Sequence, residues 1–133
     1  MGAWGYRAFE NDGALDWIME CEPDILTAVI SALSFVAELS AEDYLEVDES
    51  QCAVVAAEVV ASARAGEWAI LPAELVQLVK ENQNALKDAA IVQTARVAVE
   101  RVVANSELAE LWAEGDGPED WKRGMVGLLA KLA

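Results

Sequence analysis

The chain has 133 residues, 55% of them hydrophobic, with 24 acidic and nine basic side chains, no histidine and a formal net charge of −15. A chain of this length forms one ordinary domain and can bury a sizeable core without metal or disulfide, while so negative a field repels phosphate backbones and anionic membrane surfaces. Without imidazole, Ser-His and Cys-His couples and histidine metal sites are excluded.

Only three prolines interrupt long runs of Ala, Val, Leu and Glu, which favours an all-α fold. We expect a single-domain helical bundle over residues 1–133, with about five to seven helices. The first residues, Met1-Gly2-Ala3-Trp4-Gly5, followed by Phe9, are unusually aromatic for a terminus. They are expected to dock onto the body, Gly5 permitting the tight turn, with an exposed partner-binding role for Trp4 as the alternative. Asn11 or Asp12 caps a first helix to about Glu20, with Ala14, Trp17, Ile18 and Cys21 on one face.

A second helix is predicted from Pro23, at its first position, to about Leu39. Its stripe of Ile25, Val29, Ala32, Leu33 and Val36 is wide enough to imply heavy burial. Residues 40–49 form an acidic connection. From about Asp48 a third helix runs to a stop at Gly66, apolar on nearly every side except at Glu58 and Arg64, and it is the candidate central helix.

Pro72 opens a short fourth helix with Leu75, Val76 and Val79 inward, and Asn82-Gln83-Asn84 marks a break. A fifth helix is predicted from about Asn84 to Ala104, burying Leu86, Ala90, Val97 and Val102. Ser106 caps a sixth through Trp112, and Gly115-Asp116-Gly117-Pro118 reads as a loop. A last helix from Pro118 or Glu119 aligns Trp121, Met125, Leu128 and Leu132.

Chemistry is harder to find. Cys21 and Cys52 lack CxxC neighbours and read as reduced, buried thiols. No phosphate-binding glycine motif, secretory signal or eighteen-residue apolar span occurs, so the chain reads as cytoplasmic and bound to neither membrane nor nucleic acid. No cofactor is expected. Glu107, Glu110 and Glu114 share a helix face, and Glu46 and Glu49 repeat the ExxE spacing that can hold divalent cations; solvated helix faces are the ordinary alternative. Glu58, among Val and Ala, should be paired or titrate abnormally, with Arg96 or Arg101 as partner. Trp4, Phe9, Trp17, Trp68, Trp112 and Trp121 read as core anchors by default.

The opening Met1-Gly2-Ala3-Trp4-Gly5, with Phe9, Asn11-Asp12 and Ala14-Leu15-Asp16-Trp17, resembles the start of the bacterial domain of unknown function 4259. So do Cys52-Ala53 with Ala56-Ala57-Glu58, the stretch from Ala95-Arg96 through Ser106-Glu107-Leu108 to Leu111-Trp112 and Glu114, and Trp121 before a Leu-rich end. Tyr6-Arg7 departs from the small residues, such as Thr-Gly, expected there. The resemblance implies a small cytoplasmic bacterial protein and supplies no activity. The candidate binding residues are Trp4, Gly5, Phe9, Asn11, Asp12, Asp16, Glu58, Glu107, Trp112 and Glu114.

Residues 1–50 hold twelve acids and one base, for −11, against −4 in the remainder. This asymmetry suits a non-enzymatic interaction module, immunity-like or regulatory, that recognises a basic protein. The alternatives are a metal-assisted hydrolase built on the clustered carboxylates and a self-associating structural protein.

Overall fold

The computed structural model describes Trp17, residues 24–115 and residues 118–133. The expected first helix and docked Trp/Gly segment, with Trp4, Gly5, Phe9, Asn11, Asp12, Asp16, Cys21 and Pro23, lie outside the described residues, except that Trp17 is helical and buried. Among the described residues the architecture is all-α: seven helices and no strand. They are α1 (Ile25–Ala37), α2 (Val47–Ala65), α3 (Ala73–Glu81), α4 (Gln83–Leu86), α5 (Ala89–Ala104), α6 (Glu107–Glu114) and α7 (Pro118–Leu132).

The central helix is the one the composition singles out. From Ala53 to Ala63 every α2 residue is buried, Glu58 included, and Ser50 and Gln51 extend the buried stretch toward the N-terminus. Ala and Val dominate because small side chains let neighbouring helices approach closely from several directions. Around α2 lie α1, α5, α7 and the shorter helices. Each presents one stripe to it: Ile25, Val29, Leu33 and Val36 from α1; Val92, Ala95, Ala98, Val99 and Val102 from α5; Trp121, Met125, Leu128 and Leu132 from α7. A fully buried Leu, Val or Met contributes about 1.5–3 kcal/mol.

Side-chain caps set three of the helix starts, those of α1, α5 and α6. Asp24 is the N-cap of α1, its carboxylate accepting from the Thr27 amide at 3.2 Å and from the Thr27 hydroxyl at 2.7 Å, which lowers its pKa. The helix therefore starts after Asp24 rather than at Pro23, because a satisfied cap outweighs a proline permitted at the first position. Ser106 caps α6 through the Ala109 amide (3.0 Å), as expected. Gly66 ends α2 in the left-handed conformation, φ 70°.

Two readings are corrected. The expected long fifth helix is divided: Asn82 closes α3 and opens the single turn of α4, and Asp88 caps α5 through the Ala90 amide at 2.9 Å. The new register places Ala90 and Val97 outside, because the buried stripe follows Val92, Ala95, Val99 and Val102 at helical spacing. Helix α1 is also less enclosed than its stripe implied, since Ile30 (41% exposed) and Phe35 (52%) face outward. No described helix is long and apolar enough to cross a membrane.

The glycines give a paired prediction. Gly66→Ala should cost about 1 kcal/mol, from the positive φ alone, since the nearest atom to a new Cβ is the Gln83 Nε2 at 3.8 Å. Gly124→Ala, inside α7 with open space around it, should gain about 0.5–1 kcal/mol. Urea-unfolding midpoints check both, and equal effects would refute the assignment.

Candidate functional site

The connection between α1 and α2 carries much of the acid, and it is held firmly from below. Arg101, on the last turn of α5, donates through its guanidinium to the carbonyls of Ser40 (2.8 Å), Asp43 and Asn105 (3.0 Å). Asn105 adds a bond from its amide nitrogen to the Ala41 carbonyl at 3.3 Å. Glu107 then clasps the start of α2 in two directions. Its backbone N–H donates to the Leu45 carbonyl (2.8 Å), and its carboxylate accepts from the Val47 N–H (2.8 Å). That amide is one of the donors a helix N-terminus leaves unsatisfied, and a carboxylate there also meets the positive end of the helix dipole. Glu107 is thus a cap supplied from another helix. Beside it, the Tyr44 hydroxyl donates to Glu110 at 3.2 Å. Partial desolvation, then the Glu107 and Glu110 carboxylates, hold the Tyr44 pKa above its ordinary value.

These bonds change the reading of the ExxE elements. Glu107 and Glu110 are turned to the Val47 amide and the Tyr44 hydroxyl, away from a shared cation position. Among the described residues no group of three or more His, Cys, Asp or Glu side chains could hold a metal ion. Trp112 is half-buried against the core, and Glu114 is exposed at the end of α6.

Glu58 is where the sequence reading needs its clearest correction. It is 7% exposed, yet neither Arg96 nor Arg101 reaches it. Arg101 is committed to the connection, and Arg96 donates to the Leu132 carbonyl at 3.1 Å. The guanidinium of Arg64 likewise donates to the carbonyls of Lys131 (2.9 Å) and Ala133 (2.6 Å), so the arginines tie down the end of α7. Their flat, multi-donor heads match exposed helix-end carbonyls better than they match a carboxylate sunk among Val and Ala. One Glu58 oxygen, Oε2, is buried without a hydrogen bond. Burial raises its pKa, and the nearby Lys131 charge only partly opposes this.

One concavity among the described residues was missed as a unit. A cleft of about 270 Å³ lies between α1 and the first turns of α2. Trp17, Ala28, Ala32 and Phe35 supply its apolar lining, Asp48 and Glu49 its charge, and Ser31 and Cys52 its remaining edge. Cys52 is half-buried here rather than fully buried. The Glu49 Oε2 atom is buried and accepts no hydrogen bond. Sequence spacing showed Glu49 only as half of an ExxE pair with Glu46. The signal that could have found the cleft is Asp48-Glu49 and Cys52 one turn apart at the α2 start. Phe35 gave the second sign, since it breaks the inward stripe of α1. Trp4, Gly5, Phe9, Asn11, Asp12 and Asp16 lie outside the described residues.

The fold and site define an acidic all-α protein with an aromatic, carboxylate-lined cleft. It belongs to the family described as Domain of unknown function (DUF4259), whose sequence profile matches residues 2–124. No curated protein and no solved structure matches the chain.

Two substitutions test the assigned roles. Because Glu58 has a folded-state pKa above its ordinary 4.5, ionisation penalises the fold progressively as pH rises through that range. Glu58→Gln should therefore stabilise the protein at pH 7 by about 1 kcal/mol or more, with the gain vanishing below about pH 4. Paired urea titrations at the two pH values check this. Glu107→Ala should cost about 1–2 kcal/mol by uncapping Val47, whereas Glu114→Ala should stay within about 0.5 kcal/mol.

Proposed function

We propose that this protein is a non-enzymatic interaction module, immunity-like or regulatory, that seats a basic segment of a partner protein in the α1–α2 cleft. The observation that carries the reading is the pairing, in one 270 Å³ cleft, of an apolar lining that includes Trp17 and the exposed Phe35 with the acidic side chains of Asp48 and Glu49. A lysine or arginine side chain has the matching shape: an apolar stem to lie along the exposed Phe35 ring and a cationic head to reach the acids. The buried Glu49 Oε2 lacks a donor that such a head would supply.

The surroundings favour the same partner. Glu38, Glu42, Asp43, Glu46, Asp48 and Glu49 fall within twelve residues that contain no base. Among the described residues the only ion pair is the exposed Arg123–Asp120 contact on α7, so this edge is not neutralised by salt bridges of its own. A field of that sign accelerates encounter with a cationic partner and screens out anionic ones.

Isothermal titration with an Arg/Lys-rich peptide of about nine residues tests the proposal on the full chain. Binding is expected in the micromolar range and weakens steeply between about 0.02 and 0.3 M salt. The Asp48→Asn/Glu49→Gln double variant should lose about tenfold in affinity, corresponding to about 1.4 kcal/mol. Absence of binding, or affinity indifferent to the double variant, contradicts it.

A further inference from the structure

A second surface has the opposite character. The outward sides of α1 and α5 meet along a strip that holds a groove of about 200 Å³ lined by Ile30, Leu33, Ser34, Ala90, Ile91 and Thr94. Val97, 38% exposed, stands one turn beyond Thr94. Helix α1 contains no ionisable residue, and α5 contains none from Ala89 through Ala95. On a chain of −15 this is an unusually long uncharged face.

We propose that this strip is the interface of a symmetric homodimer, in which Ile30 of each copy enters the groove of the other. Charge selects the occupant. Two copies approaching through the 38–49 edge, which holds six acids and no base, bring like charges together, which is strongly unfavourable. The α1–α5 strip lets two equally negative bodies touch without that repulsion. A basic partner has no electrostatic reason to choose it, since its attraction lies at the acidic edge.

Shape agrees with a two-fold pairing. A projecting Ile30 and the hollow that would receive it lie on one face, as an isologous interface requires. Ser34, Ala90 and Thr94 are small enough for the helices of the two copies to close, forming a four-helix layer. The face is only about 20 Å long, the length of α1, which sets the dimer among the smaller interfaces. The argument uses neither the cleft nor its ligand, so it stands or falls separately from the proposed function.

Sedimentation equilibrium on the full chain, from about 5 to 500 µM and at about 0.05 and 0.5 M salt, tests it. A reversible dimer is expected, tighter at high salt because the residual repulsion between copies is screened. Ile30→Glu and Thr94→Glu, each with helical content unchanged by circular dichroism, should weaken it at least about tenfold, or about 1.4 kcal/mol. Val126→Glu, on the open side of α7 and 65% exposed in the parent, should leave it intact. A monomer under every condition overturns the proposal, as does a dimer that ignores both α1–α5 variants or is lost equally in Val126→Glu.

Discussion

Burial of α2 on all sides is the constraint from which the rest of the structure follows. A helix with one apolar stripe needs one neighbour, but a helix buried continuously from Ala53 to Ala63 must be surrounded. Its Ala and Val side chains allow that enclosure because they are short, and the enclosing helices can then afford polar outer faces. The charge of the molecule is displaced outward as a result, onto the connection before α2 and onto the outer sides of α6 and α7. Glu58 is the exception, a carboxylate kept inside an apolar shell with one oxygen unsatisfied.

Enclosing a helix creates a second problem, because its ends must also be finished. At the start of α2, Glu107 caps from another helix and Arg101 gathers the carbonyls of the approaching chain. At the far end, Gly66 turns the backbone, and Arg64 and Arg96 hold the last carbonyls of α7. The two ends are therefore fastened by side chains on α2, α5 and α6 acting on distant backbone. Such bonds fix the acidic connection and the first turn of α2 in one place, which sets Asp48 and Glu49 in the same cleft lining as Phe35 and Trp17.

The all-α class, the central helix and the α7 stripe were legible in the sequence because each rests on local periodicity or on a local cap, as with Ser106 and Gly66. The division before α5 was not, since a continuous run from Asn84 to Ala104 satisfies helix propensity. The cap at Asp88 wins only when α4 can turn to pack Leu86 inside. The roles of Arg96, Arg101 and Glu107 were hidden for a related reason. Their partners are backbone carbonyls and an amide up to sixty-one residues away, and no side-chain pattern announces a backbone acceptor. Glu58 was recognised as anomalous from its apolar neighbours, but arginine was the wrong partner to infer. The cleft was visible only in pieces, with Phe35 on one helix, Asp48 and Glu49 on the next, and Trp17 before both. Membership of the DUF4259 family was legible from residues spread along the chain, and it carries no chemistry with it.

Two surfaces of contrasting charge emerge from one packing scheme: an acidic cleft where α2 begins and an uncharged strip where α1 meets α5. We propose an oppositely charged guest for the first and an equal for the second. The most direct measurement on the central claim is an amide and indole chemical-shift titration of the isotopically labelled chain with the basic peptide. Saturable shifts concentrated at Phe35, Asp48, Glu49, Cys52 and the Trp17 indole are the predicted result. Shifts scattered over the exposed carboxylates of α6 and α7, with those five positions unmoved, would contradict it.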